Sequence, residues 1–427
     1  MRLAPLINSL FCSKDDDDCI SIFKTEDYLT TASICSSVVS SCKEPVARPL
    51  HLFERATGRT HVLNEFLASE ITYVNLLREF EDIYIAKAYD SLTIQSAGKL
   101  SPKVTFGTAL KPDERKTMFK GHEEITKLHS DTLLPKFHAA IDELYEVGDN
   151  TSGERSHAAA QQVCKTFCNY IECLKMYSAY SAVCDQANAK YGQWISGKGM
   201  ARMDRKRVQA YLHYCTTDER HSQIDMTGYL LLPVQRLTRY KMLLQQLEKF
   251  TPAPAPGRRD WVGEALIRIS NILLYVNEYK REVDSRLRLC HWADQIALSG
   301  PSPLVQPHRI LVREGPVNFI ARGEQTVGLV TGNSNREKMK RTVAVVNKMC
   351  LAVLCHDMLV LAQIIGEGRK SKLELMDVVR LSSIGEARLQ FDNIIAFEAY
   401  DVSYYLQVDT NKIAQGWVEA INEYRWK

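Results

Sequence analysis

Apolar residues recur at helical spacing through the first two thirds of the chain and in shorter runs through the last third. From Tyr229 to Leu247 they form one stripe of a 3.6-residue helix, which predicts a helix packed into a core. Similar stripes predict helices over about 60–84, 113–147, 154–190, 203–216 and 258–291. The pattern predicts a multidomain chain, in which an all-α elongated helical bundle precedes a small β-barrel or sandwich with a C-terminal helix.

Changes in composition set the expected domain boundaries. Residues 1–55 are rich in Ser, Thr, Cys and Asp and keep no periodicity, which predicts a flexible N-terminal tail. The helical domain is expected over 56–292. A linker at 293–308 follows, because the segment Ser-Gly-Pro-Ser-Pro at 299–303 interrupts the pattern. Strand-like runs separated by turn residues then predict a β domain over 309–427.

Composition excludes some classes of protein and favours others. The chain has 427 residues, of which 45% are hydrophobic and 25% charged, as in ordinary globular proteins. Its 54 basic and 51 acidic residues give a net charge of +3, too close to neutral to predict nucleic acid as a partner. The 12 cysteines are expected to be reduced thiols of a cytoplasmic protein. No apolar run is long enough to predict a transmembrane helix, and the start lacks a good signal-cleavage pattern.

The polar face of the 229–247 helix has an unusual composition. It carries Gln235, Arg239, Met242 and Gln246, with Arg236 at its flank, in place of the usual Lys and Glu. Planar polar groups around one large thioether suit a surface that a partner covers. Periodicity alone favours a core helix whose other face is solvated.

A carboxylate interrupts the apolar stripe of the first long helix. Glu70 falls on the same stripe as Phe66, Tyr73 and Leu77. Burying a lone carboxylate is costly, so Glu70 either meets a cation inside the fold or lies at an interface that supplies hydrogen-bond donors. The pattern by itself favours the first interpretation, a structural glutamate that is paired inside the fold.

Several segments together resemble a known pair of domains. Leu-Leu-Leu-Pro-Val-Gln-Arg-Leu-Thr-Arg-Tyr-Lys-Met-Leu-Leu at 230–244 resembles Dbl-homology domains, the exchange modules for Rho-family GTPases. The stretch 62–77 resembles the opening helix of that family, and Val-Asn-Glu at 276–278 resembles its Ile-Asn-Glu. Residues 351–362 and 416–421, with Trp417 as the cap of the barrel, resemble a pleckstrin-homology domain. This order of domains is usual in the family, so the resemblance extends over 56–427.

The resemblance implies a site and a mechanism. Glu70, Arg239 and Asn277 would face the GTPase together, and this favours the interface interpretation of Glu70. Tyr73, Gln235, Arg236, Met242 and Gln246 would supply the surrounding contact area. Some family members have Lys where this chain has Arg239, which keeps the charge but changes the geometry. By stabilising the nucleotide-free GTPase, the protein would promote GDP release and GTP loading without covalent chemistry of its own. The alternative is a non-catalytic adaptor that binds a GTPase or a phosphoinositide.

No cofactor or metal is expected. Residues 192–199 nearly match a phosphate-binding loop, but Gly199 stands where the motif requires Ser or Thr. Cys164 and Cys168 lie one helical turn apart without the second pair of ligands that a zinc site needs.

A basic cluster in the last third of the chain is a candidate site for membrane binding. Arg336, Lys338, Lys340 and Arg341 follow the first expected strand, where pleckstrin-homology domains often bind phosphoinositide headgroups. The resemblance thus implies peripheral recruitment to membrane. A solvated charged loop explains the same residues equally well.

Overall fold

The computed structural model describes residues 52–95, 103–145, 153–252, 254, 257–296, 303–327, 339–366 and 372–425. They form two compact units, which divide between Lys280 and Arg281. The division falls inside a helix that continues past Trp292, where the sequence pattern placed the boundary. None of the described helices combines the length and apolar character needed to cross a bilayer.

The first unit is built from helices around one large core. In chain order they are α1 (Leu52–Phe80), α2 (Pro112–Phe119), α3 (His122–Lys127), α4 (Leu134–Asp142), α5 (Glu154–Tyr170), α6 (Met176–Ser196), α7 (Arg202–Thr216), α8 (Met226–Phe250) and α9 (Trp261–Gln295). The apolar stripe of α8 is buried as its periodicity predicts, and α8 packs against α1 and α6.

Local chemistry explains where α8 begins and how it tolerates a proline. The Asp225 carboxylate accepts a hydrogen bond from the Gly228 amide at 2.8 Å, a regular N-terminal cap. Pro233 lies inside the helix and cannot donate to the preceding turn. The Tyr180 hydroxyl donates to the Leu230 carbonyl at 2.8 Å, which satisfies an acceptor beside the missing bond.

The structure divides helices that the periodicity joined. The stripe predicted over 113–147 breaks at Gly121, whose φ of 79° is left-handed, and then passes through a π-helical segment at Leu128–Leu133. The stripe over 154–190 is interrupted by a 3₁₀ turn at Ile171–Lys175. A hairpin of β1 (Leu92–Gln95) and β2 (Lys103–Phe106) lies where only a surface connection was expected.

The second unit is an antiparallel sheet with one helix. Its strands in chain order are β3 (Leu311–Val327), β4 (Met339–Cys355), β5 (Met358–Ile365), β6 (Lys372–Arg380), β7 (Arg388–Gln390), β8 (Ile394–Ala399) and β9 (Val402–Gln407). Their order across the sheet is β6-β5-β4-β3-β9-β8-β7, which the described residues do not close into a barrel. Two strand-like runs of the sequence, 342–346 and 350–354, belong to the single strand β4. An irregularity in its pairing, opposite Phe319 and Ala321 of β3, interrupts the alternation between them.

Both faces of the central strands are buried. On one face, Ala352, Leu354 and Leu361 join the core that includes Trp417 of helix α10 (Asn411–Tyr424). On the other face, Val353 and Val360 pack with Leu289, Trp292 and Ile296, which follow Arg281 and so belong to this same second unit. Two-sided burial explains the nearly continuous apolar run at 351–362.

The structure describes the backbone of two of the four residues in the predicted lipid site. Arg336 and Lys338 lie outside the described residues. The backbones of Lys340 and Arg341 belong to β4, opposite Thr326 and Gln325 of β3. Both residues are therefore strand residues rather than part of a loop.

Candidate functional site

The polar face of α8 is exposed in the structure. Gln235, Arg239, Met242 and Gln246 all reach the surface, and 47% of Met242 is accessible. A large apolar side chain among planar polar groups remains on this face, so the surface has the composition that the sequence predicted.

An ion pair joins this face to α1. The Arg239 guanidinium donates through Nη2 to Oε1 of Glu65, whose side chain is 32% exposed against 43% for Arg239. Beside it, the Tyr145 hydroxyl donates to Oδ1 of Asn64 at 2.6 Å. Both charges of the pair are accessible, so each can exchange its internal partner for an external one.

Glu70 occupies a different environment. Its side chain is fully buried, and the predicted exposure of this residue is wrong. Nδ1 of His129 donates to Oε1 at 2.6 Å, while the Tyr240 hydroxyl donates to Oε2 at 2.6 Å. Arg236 also donates through Nη2 to Oε2. Of the two interpretations of a carboxylate on the apolar stripe, the internal cation is therefore correct.

Two residues predicted at the interface share this interior position. Only 4% of Arg236 is exposed, because its guanidinium lies against the rings of Tyr240 and Tyr73 and pairs with Glu70. Tyr73 is equally buried, and its hydroxyl lies 3.0 Å from that of Tyr177. Neither side chain can contribute contact area to a partner in this conformation, which corrects both predictions.

The electrostatics of Glu70 agree with a carboxyl group that is ionised at neutral pH. Burial alone would raise the pKa of its carboxyl, but the charge of Arg236 and the hydrogen bonds from His129 and Tyr240 outweigh burial and lower the pKa to about 2. The carboxylate and the Arg236 guanidinium therefore form a buried pair of balanced charge.

Glu65 is the residue that sequence reasoning missed. The stretch that resembles the family's opening helix contains two glutamates, Glu65 and Glu70, five residues apart. Glu65 falls off the apolar stripe and Glu70 falls on it. That periodicity was the available signal, because an interface residue must lie on the polar face of its helix.

Asn277 lies exposed on α9, as expected for a surface contact. Nearby, Lys280 pairs with Asp185 at 2.7 Å and ties α9 to α6. Lys175 Nζ lies 5.5 Å from the ring centroid of Tyr275. These contacts hold the exposed segment around Asn277 against the bundle.

Comparison with known proteins identifies the first unit. A family model described as "RhoGEF domain" matches residues 62–277, which is half of the chain. This chain belongs to the RhoGEF domain family. The matched region includes most of α1 with Glu65 and all of α8 with Arg239, and it ends on Asn277.

The curated relatives of this RhoGEF domain are longer proteins. The chain is 24% identical over 261 residues to "FYVE, RhoGEF and PH domain-containing protein 3" of Homo sapiens, which covers 61% of this chain and 31% of the relative. It is 36% identical over 93 residues to "Guanine exchange factor for Rac 30" of Dictyostelium discoideum, covering 22% of this chain and 6% of the relative. The chain thus spans less than a third of each of these relatives.

Solved structures support the fold of both units. The linker and DH/PH domains of p115-RhoGEF match with a TM-score of 0.59 at 18% identity, over 87% of this chain and 98% of that chain. The DH/PH domains of PDZ-RhoGEF, solved in complex with GTP-γ-S activated RhoA, match with a TM-score of 0.58 at 18% identity, over 92% and 98% of the two chains. These matches confirm the helical Dbl-homology-like unit followed by the pleckstrin-homology-like sheet.

Proposed function

We propose that this chain is a guanine-nucleotide exchange factor for a Rho-family GTPase. Its RhoGEF domain supports this function, and so does the exposed face that α1 and α8 form within that domain. Relatives named as exchange factors for Rac, and the PDZ-RhoGEF complex with RhoA, indicate the class of partner.

The accessible pair of Glu65 and Arg239 is the observation that carries the proposal. A carboxylate at the surface accepts hydrogen bonds from backbone amides and hydroxyls, and a guanidinium donates several in fixed directions. Gln235, Met242 and Gln246 surround the pair with polar and apolar contact area. We assign to Glu65 the GTPase contact that the family resemblance implied for Glu70, and we propose that this contact is with the first switch loop.

Exchange follows from differential binding. A GTPase holds its nucleotide and magnesium with mobile switch loops. A surface that binds the nucleotide-free form more tightly than the loaded form must weaken nucleotide binding by the same coupling factor. Glu65 would hold the first switch loop, while Arg239 and Asn277 would hold the second in a form that disfavours magnesium and phosphate. The excess of cellular GTP then sets the direction.

Release of a fluorescent GDP analogue from a panel of purified Rho-family GTPases tests the proposal. The full chain should accelerate release from at least one GTPase, and Glu65→Ala or Arg239→Ala should remove most of the acceleration. Glu123→Ala is the matched control, because it removes an exposed ion pair, with Lys127 at 2.6 Å, that lies on α3 away from this face.

The same assay separates the adaptor alternative. An adaptor would bind the GTPase in a pull-down without accelerating release from any member of the panel, and this result would contradict the proposal. Wild-type rates in both Glu65→Ala and Arg239→Ala would contradict the site alone.

Membrane attachment stays a prediction of the sequence, because the side chains of its four basic residues are not among those described. Sedimentation with liposomes, with and without anionic lipid, would test it. Unchanged binding after neutralisation of Arg336, Lys338, Lys340 and Arg341 would contradict it.

A further inference from the structure

A buried hydrogen-bond network lies in the core of the first unit. It joins Glu70 and Tyr73 of α1, His129 of the π-helical segment, Tyr177 of α6 and Tyr240 of α8. All five side chains are buried, so four separate elements are connected through polar groups that water does not reach. Such networks make an arrangement unique when every member is satisfied.

The donor and the acceptor of each hydrogen bond in the network can be assigned, starting from Glu70. The ionised carboxylate of Glu70 only accepts, so His129 donates to it through Nδ1. In the tautomer with the proton on Nδ1, Nε2 accepts from the Tyr177 hydroxyl at 2.7 Å, and Tyr177 in turn accepts from Tyr73 at 3.0 Å.

The network is attached to both helices of the proposed exchange site. Arg236 donates through Nη1 to the carbonyl and the hydroxyl of Ser69, at 3.3 Å each. Ser69 lies one turn after Glu65 on α1, and Tyr240 directly follows Arg239 on α8. A rotation or slide of α8 against α1 would therefore separate Glu65 from Arg239 and break the buried contacts as well.

The exposed pair is too weak to set this alignment. Surface ion pairs contribute little to stability, since water screens them and long side chains lose freedom in forming them. A buried group that loses its partner is costly, so the buried network holds the two helices in register far more firmly. The π-helical segment places His129 within this network, and π-helical turns are frequent at functional sites.

We propose that Tyr177 and His129 are positioning residues of the exchange reaction, which act through Glu70 and Arg236 to hold Glu65 and Arg239 in the geometry that the GTPase requires. The inference rests on the proposed exchange function. Neither residue touches the GTPase, because Tyr177 and His129 are fully buried. Their effect should appear in the maximal exchange rate rather than in the concentration of exchange factor needed for half-maximal rate.

The experiment uses Tyr177→Phe in the full chain. This variant keeps the ring and removes only the hydroxyl that donates to His129. The maximal rate of GDP release should fall roughly tenfold, while the concentration of exchange factor at half-maximal rate should change little. The reason is that even a small displacement of Glu65 and Arg239 from the geometry that the GTPase requires lowers the rate. In an Arg239→Ala background Tyr177→Phe should cause no further loss, since the two act on the same step.

Tyr211→Phe is the matched control. Tyr211 is also fully buried, and its hydroxyl donates to the Tyr84 carbonyl at 2.7 Å, outside the network. It should lower the melting temperature about as much as Tyr177→Phe while leaving exchange at the wild-type rate. Equal exchange rates in Tyr177→Phe, Tyr211→Phe and wild type would overturn the inference, as would an unchanged effect of Tyr177→Phe in the Arg239→Ala background.

Two further results are distinguishable. If circular dichroism shows that Tyr177→Phe does not fold, Tyr73→Phe provides the same test. The expected fall in the maximal exchange rate is then smaller, because this variant removes only the terminal donor of the hydrogen-bond network. A wild-type protein that accelerates release from no GTPase would instead overturn the proposed function.

Discussion

Arg236 and Arg239 lie less than one turn apart on α8, yet one guanidinium pairs with Glu70 inside the core and the other pairs with Glu65 at the surface. The same chemical pair is thus formed twice between α8 and α1. The two ion pairs differ in solvent exposure. Breaking the buried pair is costly, whereas the side chains of the exposed pair readily exchange each other for another partner. We expect the first to support stability and the second to support activity.

The exposed pair should prove to be a binding element rather than a structural one. In the double variant Glu65→Arg with Arg239→Glu, the ion pair can re-form in the opposite sense, so the melting temperature should stay close to that of the wild type. Exchange should remain reduced roughly tenfold or more, because each partner group now meets the wrong charge. Release of a fluorescent GDP analogue measures this, and restored exchange in the double variant would show that only the pair itself matters.

Removing the buried carboxylate should destabilise the first unit. Glu70→Ala leaves the Arg236 guanidinium buried without its anion, and the expected loss is about 3–5 kcal/mol in free energy of unfolding. Urea unfolding followed by far-UV circular dichroism measures this loss. Glu123→Ala, which breaks an exposed pair, should change the free energy of unfolding very little, because water screens the pair. A loss in Glu70→Ala no larger than in this control would contradict the structural role.

The contribution of Glu70 should depend on pH in a defined direction. Its pKa is lowered from an ordinary value of 4.5 to about 2. The stability that its ionised form supplies is therefore complete above the unfolded pKa and is lost as the pH falls from 4.5 towards 2. Urea unfolding of wild type and Glu70→Gln between about pH 6 and pH 3 should show a wild-type advantage that shrinks with falling pH. A constant difference across this range would be inconsistent with the assignment.

Trp417 should hold the second unit together. The indole is buried between α10 and the sheet, and a Cβ added at Gly315 of β3 would lie 3.8 Å from it. Trp417→Ala should cost about 3–5 kcal/mol by leaving a cavity in this core. Hydrogen exchange read by mass spectrometry should show lost protection in β3 to α10, with α1 to α8 unchanged. Phe391→Ser, at a residue that is 79% exposed, is the control and should leave protection intact.

Periodicity predicted most of the fold, and its failures have local causes. The stripes of α1, α8 and α9 were found because a helix against a large core must repeat apolar residues every three to four positions. The break at Gly121 and the hairpin of β1 and β2 were missed. One glycine changes the backbone without changing the apolar pattern, and a short, largely exposed hairpin has little apolar pattern to detect.

The exposed residues of the site were predicted better than the buried ones. Gln235, Arg239, Met242 and Gln246 were placed on the surface, because their helix carries its apolar residues on the other side. Glu70, Tyr73 and Arg236 were placed there by resemblance, against the apolar stripe on which Glu70 stands. For Glu70 the periodicity was the more reliable guide.

By itself, the sequence determined the order of the two folds, the buried stripe of each main helix and the polar face of α8, since all of these follow from residues close together along the chain. Only the tertiary structure decided which partner each charged side chain takes. The partners of Glu70 come from 59 and 166 residues away, and no local pattern records which distant side chain completes a buried carboxylate.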